Sequence, residues 1–377
     1  MADEPATNDR GTREGFEGRE GRESVEPQNL PSNLDLGVFT TIALIEGLRH
    51  RYAVPSFIRD TFFGSRSYEA ADVIGVESFR GGRGLAPFVL PLEDQVVGRR
   101  APFQRSYIEA PIIAPARVIT LREAGAVGWG ETVYNYKTPE ERVADLIAQD
   151  SIDMDDEISR TEEYMCANCM FGGKIPIHYR TKTDVLLDYG FTNVTTLAKP
   201  WTDPTALPLD DLAAAQSGLN ANGYAGSLAV YAPDAWKALW SNPQVQNQFK
   251  NFLSPITSYK FPEATPAGVA VVPSFTYPTI DNVVYSGTYV DKVGAVASYV
   301  PKGCVLVCSP DVKNRIVYAQ VTQIEQSDNR FHSYVLDRVP KLECNVNKNI
   351  HMLTITSRPV PVPVDLMAWT VIKGTTP

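Results

Sequence analysis

The feature that most constrains the fold of this chain is one long amphipathic stretch with helix signals at both ends. Thr138 followed by Glu141 has the spacing of a capping box. Pro139 suits the first helical position, and the glycine pair that starts at Gly172 suits the end. Between these signals, apolar side chains recur about every 3.6 residues, at Val143, Ile147, Met154, Ile158, Met165 and Cys169. The pattern predicts one helix from 139 to 171, about 50 Å long at about 1.5 Å per residue, which indicates a spine that crosses a flat molecule.

The composition places the chain among globular proteins and argues against some functions. With 377 residues, 44% of them hydrophobic, the chain is long enough for about two or three packed units and a sizeable core. A formal net charge of -9 argues against binding nucleic acid by neutralising phosphates, because that affinity comes from clustered lysine and arginine. Any DNA near this protein is therefore expected to be enclosed and not gripped.

Neither export nor a membrane span is expected from the sequence. No window approaches about 18 consecutive apolar residues, and Asp3 and Glu4 stand where a signal segment has basic and then apolar residues. The five cysteines are an odd number at low density, which fits a reducing compartment better than a disulfide framework, so free thiols are expected.

The N-terminal part of the chain is predicted to contain an arm and a short helix. Residues 1–33 mix acidic residues and arginines among glycines and hold too little apolar mass to order themselves. They are interpreted as a solvated tail or as an arm that orders only against a partner. Further on, Ile42, Ile45 and Leu48 recur at helical spacing until a proline ends the pattern. A short helix that leads into an extended connector is therefore expected within residues 34–63.

Residues 64–120 are predicted to form an extended excursion. Strand-like pieces there are interrupted by glycines and by several prolines, and proline cannot donate a hydrogen bond to a strand ladder. The GGRG sequence at 81–84 lacks the pattern of a phosphate-binding loop, and no helical pattern follows it. It is therefore interpreted as a turn within the excursion.

The excursion is rich in arginine, and the first lysine of the chain is Lys137. Arginine favours planar, bidentate pairing with carboxylates and is enriched at protein interfaces. A solvated basic loop is the alternative, but the acidic body of another copy offers this loop a partner. The arginines concerned are Arg66, Arg80, Arg83, Arg99, Arg100 and Arg105.

Acidic side chains crowd one part of the predicted helix, at Asp150, Asp153, Asp155, Asp156 and Glu157. They lack the glycine and the spacing of a calcium-binding loop, so a metal site is not favoured. The favoured interpretation is a solvated acidic face that meets the arginines of the excursion across a subunit boundary.

No catalytic or metal-binding set is recognisable in the sequence. Cys166 and Cys169 form a CxxC near a helix end without a second pair, which is a poor zinc signature, and they are interpreted as core or boundary thiols. Cys304 and Cys308 have the same parity on a predicted strand and are expected to point to one buried face. The four histidines are scattered and match no GxSxG or HExxH pattern, so no catalytic residue, metal or cofactor is predicted.

The chain after the long helix alternates strands and helices. A linker near Asp203 and Pro204 separates short strands from a second unit that begins near residue 206. The second unit contains a predicted helix at PLDDLAAAQ, a strand at SLAVYA, a helix that begins after Pro233, and strands at VVYSGTYVD and GCVLVCSP. Mixed α+β layers are the expected fold class.

Seven segments follow one another in an order that is hard to obtain by chance. They are TTIALIEGLRHRYAVPSFIRDTFF (40–63), LAPFVLP (85–91), APIIAPARVIT (110–120), AVYAPDAWKALW (229–240), VYSGTYV (284–290), YVPKGCVLVCSP (299–310) and SRPVPVPVDLMAW (357–369). Together with the arm, the extended loop and the acidic spine helix, they resemble the lambda-like major capsid protein E family of tailed bacteriophages. The resemblance extends from about residue 36 to residue 372 and implies the Hong Kong 97-like capsid fold.

The resemblance implies a division of the chain into named regions. These are the flexible N-terminal arm (1–33), the N-terminal helix and connector (34–63), the E-loop (64–115), the P-domain with the spine helix (116–205), the A-domain (206–345) and the C-terminal strands of the P-domain (346–377). In this fold the E-loop lies over a neighbouring subunit, and the A-domain points toward a fivefold or quasi-sixfold axis.

Some relatives link their subunits through an isopeptide bond from an E-loop lysine, and the E-loop of this chain has no lysine. Non-covalent contacts are therefore expected: overlapping loops, β-augmentation at strand edges and arginine–carboxylate pairs. An exposed ion pair contributes only about 0 to 1 kcal/mol, so burial of apolar side chains under the loop is expected to supply most of the adhesion. The candidates for this burial are Phe79, Leu85, Phe88, Val89 and Leu90.

The resemblance implies a non-enzymatic major capsid protein that self-assembles into the icosahedral head shell of a tailed double-stranded DNA phage. Its partners would be other copies in hexamers and pentamers, with scaffolding, portal and decoration proteins, and the DNA would be enclosed without specific binding. The protein would be located in the virion after assembly in the host cytoplasm. Two alternatives stay open: an encapsulin-type nanocompartment shell, and a soluble hydrolase that uses the acids from Asp150 to Glu157.

Overall fold

The computed structural model of the protein describes residues 56–79, 103–126, 138–179, 184–251, 268–272, 278–291, 294–312 and 314–377. All of them belong to one unit by their contacts, Phe39–Pro377. The predictions for the N-terminal arm, for the first helix and for the E-loop beyond its two strands fall outside these ranges.

The described residues contain helices and strands in mixed order, which agrees with the predicted α+β class. The helices are α1 (Phe57–Phe62), α2 (Leu121–Gly125), α3 (Pro139–Gly172), α4 (Pro208–Ala221), α5 (Pro233–Ser241) and α6 (Pro243–Asn251). The strands are β1 (Ser65–Glu69), β2 (Val73–Phe79), β3 (Phe103–Glu109), β4 (Ala116–Thr120), β5 (Lys174–Ile177), β6 (Val185–Asp188), β7 (Val194–Thr196), β8 (Leu228–Tyr231), β9 (Val269–Val272), β10 (Asp281–Tyr285), β11 (Thr288–Val290), β12 (Val296–Ser298), β13 (Cys304–Cys308), β14 (Arg315–Ala319), β15 (Val321–Ile324), β16 (Phe331–Tyr334), β17 (Val339–Asn345), β18 (Ile350–Thr356), β19 (Pro359–Val362) and β20 (Trp369–Lys373).

Helix α3 is the element that the sequence predicted most closely, and it ends one residue beyond the predicted end, at Gly172. Its capping box forms: the Thr138 hydroxyl accepts the Glu141 N–H at 3.3 Å, and the Glu141 carboxylate accepts the Thr138 N–H at 2.8 Å. Gly173 closes the helix with a left-handed φ of 62°. A Cβ on Gly173 would lie 2.1 Å from the Cβ of Phe191, so only glycine fits there.

Helix α3 contacts two separate hydrophobic clusters. Its first half packs on the sheet β17-β18-β4 through a small cluster of Ile119, Ile147, Met154, Ile158, Leu353 and Ile355. Its last turns, from Met165 to Phe171, enter the large core that also contains the strands of a six-stranded sheet. One helix therefore connects two cores, which agrees with the predicted spine.

The six-stranded sheet has the order β7-β20-β13-β8-β10-β9. All five residues of β13 are buried, as expected for an apolar strand that is covered on both faces. This confirms that Cys304 and Cys308 lie in the interior. Strand β20 lies between β13, to which it is antiparallel, and β7, to which it is parallel.

Trp369 of β20 fixes this sheet to the end of α3. Its indole N–H donates to the carbonyl of Met170 at 2.9 Å, and its ring stacks on Phe191 with the ring centroids 5.4 Å apart. Burying a large aromatic side chain with its N–H satisfied is strongly stabilising.

The sequence VVYSGTYVD was predicted to be one strand, and that prediction is wrong. Strand β10 ends at Tyr285, and β11 begins at Thr288. A Cβ on Gly287 would lie 2.5 Å from the ring of Tyr285, so the glycine lets the chain turn tightly against the tyrosine two residues earlier. Apolar residues with strand preference stand on both sides of Ser286, Gly287 and Thr288, and this is why the sequence was interpreted as one strand.

Candidate functional site

Strands β2 and β3 form a two-stranded antiparallel ribbon at the start of the region assigned to the E-loop. The register pairs Val73 with Glu109 at the base and Phe79 with Phe103 at the far end. In the ranges that the structure covers, neither strand pairs with a third strand. The exposed fraction is 69% for Tyr107, which lies near the base of the ribbon. A hairpin of two strands is marginally stable alone, and the base of this one is covered by its own chain, because Ile74 and Ile108 lie in the large core.

Arg358 anchors the base of the ribbon to the body. Its guanidinium donates to the carboxylate of Asp72, to the carbonyl of Gln320 at 2.7 Å and to the carbonyl of Ala110 at 3.1 Å. Asp72 precedes β2 and Ala110 follows β3, so one nearly buried side chain holds both ends of the ribbon. The Nε of Arg358 is buried without a hydrogen-bond partner among the described residues.

Of the predicted contact arginines, Arg66 is the one whose side chain is described, and it has a partner in its own chain. Its Nη1 lies 2.9 Å from Oδ2 of Asp337, and both side chains are partly exposed. On the ribbon backbone, Phe79 is opposite Phe103, and Arg105 is opposite Glu77. The remaining predicted loop residues lie outside the described ranges: Arg80, Arg83, Leu85, Phe88, Val89, Leu90, Arg99 and Arg100.

The predicted acidic cluster lies on the part of α3 that precedes Ile158, called here its first half, and two of its members are paired within the chain. Asp155 accepts a hydrogen bond from Nε of Arg338 at 2.6 Å, and Glu157 pairs with Nη2 of Arg117. The contact of this cluster with arginines of another copy stays a prediction. The intrachain pairs show that part of the negative charge is already compensated.

Two other members of the cluster are half-buried. Burial raises the pKa of Asp150, and the neighbouring charge of Asp153 adds to this effect while Arg117 opposes it. Burial also raises the pKa of Asp156, against the opposing charge of Arg160. Like charges on adjacent turns of one helix disfavour the ionised form, so this face favours an added cation.

A buried charge network on the second half of α3 was not predicted from the sequence. Glu162 is 1% exposed, and it accepts hydrogen bonds from Arg338 at 2.6 Å, from Arg59 at 3.1 Å and from the hydroxyl of Tyr318 at 3.1 Å. Burial alone would raise the pKa of Glu162, but the charges of Arg338 and Arg59 outweigh it and lower the pKa. The carboxylate is therefore held ionised in the interior.

Glu163 completes the network from the next position of the helix. Its carboxylate accepts the backbone N–H groups of Ile58 at 3.0 Å and Arg59 at 2.8 Å, and the hydroxyl of Tyr285 donates to it at 2.8 Å. Burial raises the pKa of Glu163 more than these bonds lower it. The sequence did contain a signal for the pair, because Glu162 follows the apolar Ile158 by four residues on the same face of the helix.

The cysteines of the CxxC are structural. Cys166 and Cys169 are buried on α3, and burial raises the pKa of both thiols, which makes them unreactive. All five cysteines of the chain are free, which confirms the expected thiols.

Within the described ranges, no group of three or more His, Cys, Asp or Glu side chains is arranged to hold a metal ion. Nor does any helix of that part of the chain have the length and apolar character to cross a membrane.

Residues 40–372 match the sequence profile of the family described as phage major capsid protein E. A crystal structure of a protein assigned as the capsid protein of a prophage of Escherichia coli CFT073 is similar, with a TM-score of 0.64 and 17% sequence identity over 89% of this chain and 98% of that chain. At this identity the likeness concerns the fold. Among curated proteins, none matches the chain.

Two further solved structures have lower similarity. A phage-related protein of Bordetella bronchiseptica RB50 has a TM-score of 0.49 and 11% identity over 89% of this chain and 97% of that chain. A chain of the capsid of the cyanophage P-SCSP1u has a TM-score of 0.48 and 12% identity over 86% of this chain and 89% of that chain.

The family match extends over most of the sequence, and the predicted Hong Kong 97-like α+β fold is confirmed. The chain therefore belongs to the phage major capsid protein E family.

Proposed function

We propose that this major capsid protein builds the icosahedral head shell of a tailed double-stranded DNA phage through non-covalent overlap of its E-loop with a neighbouring copy. The observation that carries the proposal is the ribbon β2–β3, which is anchored at its base and lacks a third strand in the described ranges. A subunit with such a projection is incomplete until another surface covers it.

The anchor by Arg358 supports this role for the ribbon. A loop that adheres to a neighbour must transmit force to the body of its own subunit. Three hydrogen bonds from one guanidinium to Asp72, Gln320 and Ala110 tie the ribbon to two other segments of the chain. Hydrogen bonds from a charged donor are stronger than neutral ones, so the base of the ribbon is held firmly on the body.

The environment of the acidic cluster argues against a hydrolase. Asp155 and Glu157 are each paired with an arginine of the same chain, so these two carboxylates already have partners and are not directed at a substrate. We therefore assign these acids to charge compensation, in part within the chain and in part toward the E-loop arginines of a neighbour, and propose no enzymatic activity.

The finer parts of the proposal concern partners and location. Copies of the chain would form hexamers and pentamers, with scaffolding, portal and decoration proteins as further partners, and assembly would take place in the host cytoplasm. The N-terminal arm would bind a neighbour or one of these proteins. Deletion of residues 2–30 is expected to leave the subunit folded and to impair assembly or decoration. Normal, fully decorated particles from this variant would contradict that role.

The ribbon offers a direct test of E-loop adhesion. Because Phe79 and Phe103 are opposite each other in the register, an Asn-Gly turn in place of residues 80–102 closes the hairpin without changing its strands. We expect this closed-ribbon variant to remain folded by circular dichroism and to form no particles in sedimentation and negative-stain images. The control is the full-length chain with Glu140→Gln, an exposed residue in the first turn of α3 that is assigned to no contact, and it should form particles normally.

Particles from the closed-ribbon variant in normal yield would refute the proposal. The contents of normal particles separate the shell of a phage from an encapsulin-type compartment. A genome supports the first, and an enzyme cargo supports the second.

A further inference from the structure

The sheet β17-β18-β4 has two edge strands, and the chain treats its two edges differently. At the β17 edge, the side-chain amide of Gln326 accepts the N–H of Cys344 at 2.8 Å and donates to the carbonyl of Cys344 at 2.9 Å. Pro340, which lies on the same strand, has no N–H to donate. A plugged position and a proline both disfavour the addition of another strand, so the β17 edge is protected.

The opposite edge of the sheet is formed by β4 and by the residues before it. Ile113 exchanges two backbone hydrogen bonds with Ser357, both at 2.9 Å, and the N–H of Ile355 donates to the carbonyl of Pro115 at 3.2 Å. These contacts continue the register of β4 with β18 back to residue 113. The edge therefore extends over residues 112–118, and it is called here the 112–118 edge.

The phase of these bonds shows which backbone groups of the 112–118 edge face outward. In an antiparallel pair, residues that bond to the partner strand alternate with residues whose backbone groups face away from it. Ile113 and Pro115 bond toward the strand side, so their even-numbered neighbours face outward. In the part of the chain that the structure describes, the N–H groups of these neighbours have no hydrogen-bond partner. The outward-facing residues are Ile112, Ala114, Ala116 and Val118.

Pro115 does not protect this edge, in contrast to Pro340 at the other one. The backbone of Pro115 faces β18, so its missing N–H removes no donor from the outward side. The side chains of the outward-facing residues are exposed, and Ile112 and Val118 are exposed by 59% and 47%. The 112–118 edge thus combines open backbone donors with exposed apolar side chains, which is typical of a site for strand addition.

Strand β3 of the ribbon has an open edge of the same length. It has seven residues, as the 112–118 edge has, and each is about 23 Å long at about 3.3 Å per residue. The N–H of Ala110 donates to the carbonyl of Asp72 at 3.2 Å, which places the backbone groups of Tyr107 and Glu109 on the side away from β2. Within the described ranges, β3 pairs with β2 alone.

The side chains of the two edges are complementary in size. Ala114 and Ala116 are small and lie between the larger Ile112 and Val118. On β3, Tyr107 is 69% exposed. Residues that are opposite each other on paired strands have Cβ atoms about 4.5 to 5.5 Å apart, so small residues on one strand leave room for a large ring on the other.

The two edges are held apart within one chain. Strands β3 and β4 belong to different sheets. The link between them is fixed at both ends, because Arg358 donates to the carbonyl of Ala110 at 3.1 Å and Ile113 bonds to Ser357. Pairing of the two edges therefore requires a second copy. A contact between two different surfaces of identical copies repeats from one copy to the next and generates a ring when the rotation closes.

We propose that the 112–118 edge receives β3 of a neighbouring copy as an added strand. The inference rests on the proposed shell, and it names the surface on which the ribbon of the neighbour lies. Main-chain hydrogen bonds supply the attachment, and the ring of Tyr107 over the two alanines sets the register.

Cross-linking within assembled particles tests the contact. Cys344 is the cysteine that is not buried, so Cys344→Ser gives a background without accessible thiols. In this background, Ala114→Cys or Ala116→Cys is carried by one chain and Glu109→Cys by another, so that either strand direction brings one pair together. The chains are mixed, assembled and treated with a bismaleimide. We expect a product that joins two chains at the introduced cysteines, and none when Glu140→Cys replaces the alanine variants.

The outcomes separate this inference from the proposed function. Particles in which neither alanine variant is joined to Glu109→Cys would overturn the added strand and leave E-loop adhesion intact. A chain that forms no particles even without substitutions would refute both.

Removal of one outward donor tests the backbone pairing itself. Ala116→Pro deletes the N–H that bonds to the added strand, whereas Ala116→Ser retains it. We expect Ala116→Pro to lower the yield of particles about tenfold and Ala116→Ser to leave it unchanged. Similar unfolding midpoints of the two variants in the closed-ribbon background show that the subunit is folded. Equal particle yields from the two variants would contradict the proposal.

Discussion

The two halves of α3 both carry acidic side chains, but their environments differ. In the first half, Asp153 is exposed and Asp156 is half-buried, and the helix packs on a small three-stranded sheet. In the second half, Glu162 and Glu163 are both 1% exposed, and each has three hydrogen-bond donors. Carboxylates thus lie at the surface in the first half of the helix and are held by fixed hydrogen bonds in the interior in the second half.

The difference teaches that a charge pattern locates charges without showing whether they are compensated. A buried carboxylate survives only with partners in fixed positions, so the second half binds α1, β14 and the segment before β17 into one rigid unit. An exposed carboxylate can exchange partners at small cost. The first half therefore stays the part of the helix that is predicted to contact a neighbouring subunit.

The sharpest test of the comparison is removal of the arginine that serves the buried pair. Arg338→Met leaves Glu162 without its shortest hydrogen bond, and breaking a buried pair is expected to cost about 3 to 5 kcal/mol of unfolding free energy. The matched control is Arg66→Met, which breaks an exposed pair and should cost about 0 to 1 kcal/mol. Denaturant unfolding of both in the closed-ribbon background avoids interference from assembly. Equal losses would break the comparison.

The pH dependence of Glu162 gives the next largest effect. Its folded-state pKa lies below the ordinary 4.5, so the folded state prefers the charged form. The stabilisation is therefore fully present above the unfolded pKa and is lost as pH falls through the folded pKa. Glu162→Gln should cost about 2 to 3 kcal/mol at neutral pH, and the difference from the unaltered chain should vanish in acid. A difference that does not change with pH would show that the carboxylate contributes by shape alone.

Shortening an apolar side chain of α3 is expected to change the unfolding free energy by less than the changes to its buried charges. Ile158 is fully buried at the junction of the two halves, whereas Ile152 is 47% exposed. Ile158→Val is expected to lower the unfolding free energy by about 1 kcal/mol, and Ile152→Val should change it by a few tenths at most. Thermal unfolding of the two variants is compared under the same conditions. A larger loss of stability from Ile152→Val than from Ile158→Val would contradict the expectation that burial determines the effect.

The smallest effect on stability is expected at the exposed acids. Asp153→Asn should change the unfolding free energy by less than about 0.5 kcal/mol. If this face contacts arginines of a neighbour, the same variant should reduce the yield of particles in sedimentation, while Glu140→Gln in the first turn should not. Normal particle yield from Asp153→Asn would remove this acid from the predicted interface.

Local signals in the sequence predicted the local structure well. The capping box and the terminal glycines predicted the bounds of α3 because they act within a few residues of the helix ends. The network around Glu162 was missed because Arg338 is 176 residues away in the chain. The sequence indicated that Glu162 lies on the apolar face of the helix, but the partners of Glu162 depend on the tertiary fold. The predicted partners of Arg66 illustrate the same limit, since Asp337 of its own chain is 271 residues away.

The family resemblance supplied what local signals could not. The order of segments identified the capsid fold although no single segment is diagnostic. The E-loop arginines and apolar residues at 80–102 remain predictions, because their contacts depend on a second copy. The ribbon that precedes them shows where such contacts begin, at Phe79 and Phe103.

The position of β20 in the six-stranded sheet determines when that sheet can be completed during synthesis of the chain. Among the described strands, β7 joins that sheet through β20, and the Asn193 side chain donates to the carbonyl of Trp369 across 176 residues. A ribosome adding about 5 to 20 residues per second needs about 10 to 35 s to cover that distance. During this delay β7 and β13 cannot pair with β20, so the six-stranded sheet is completed only after β20 has been synthesised.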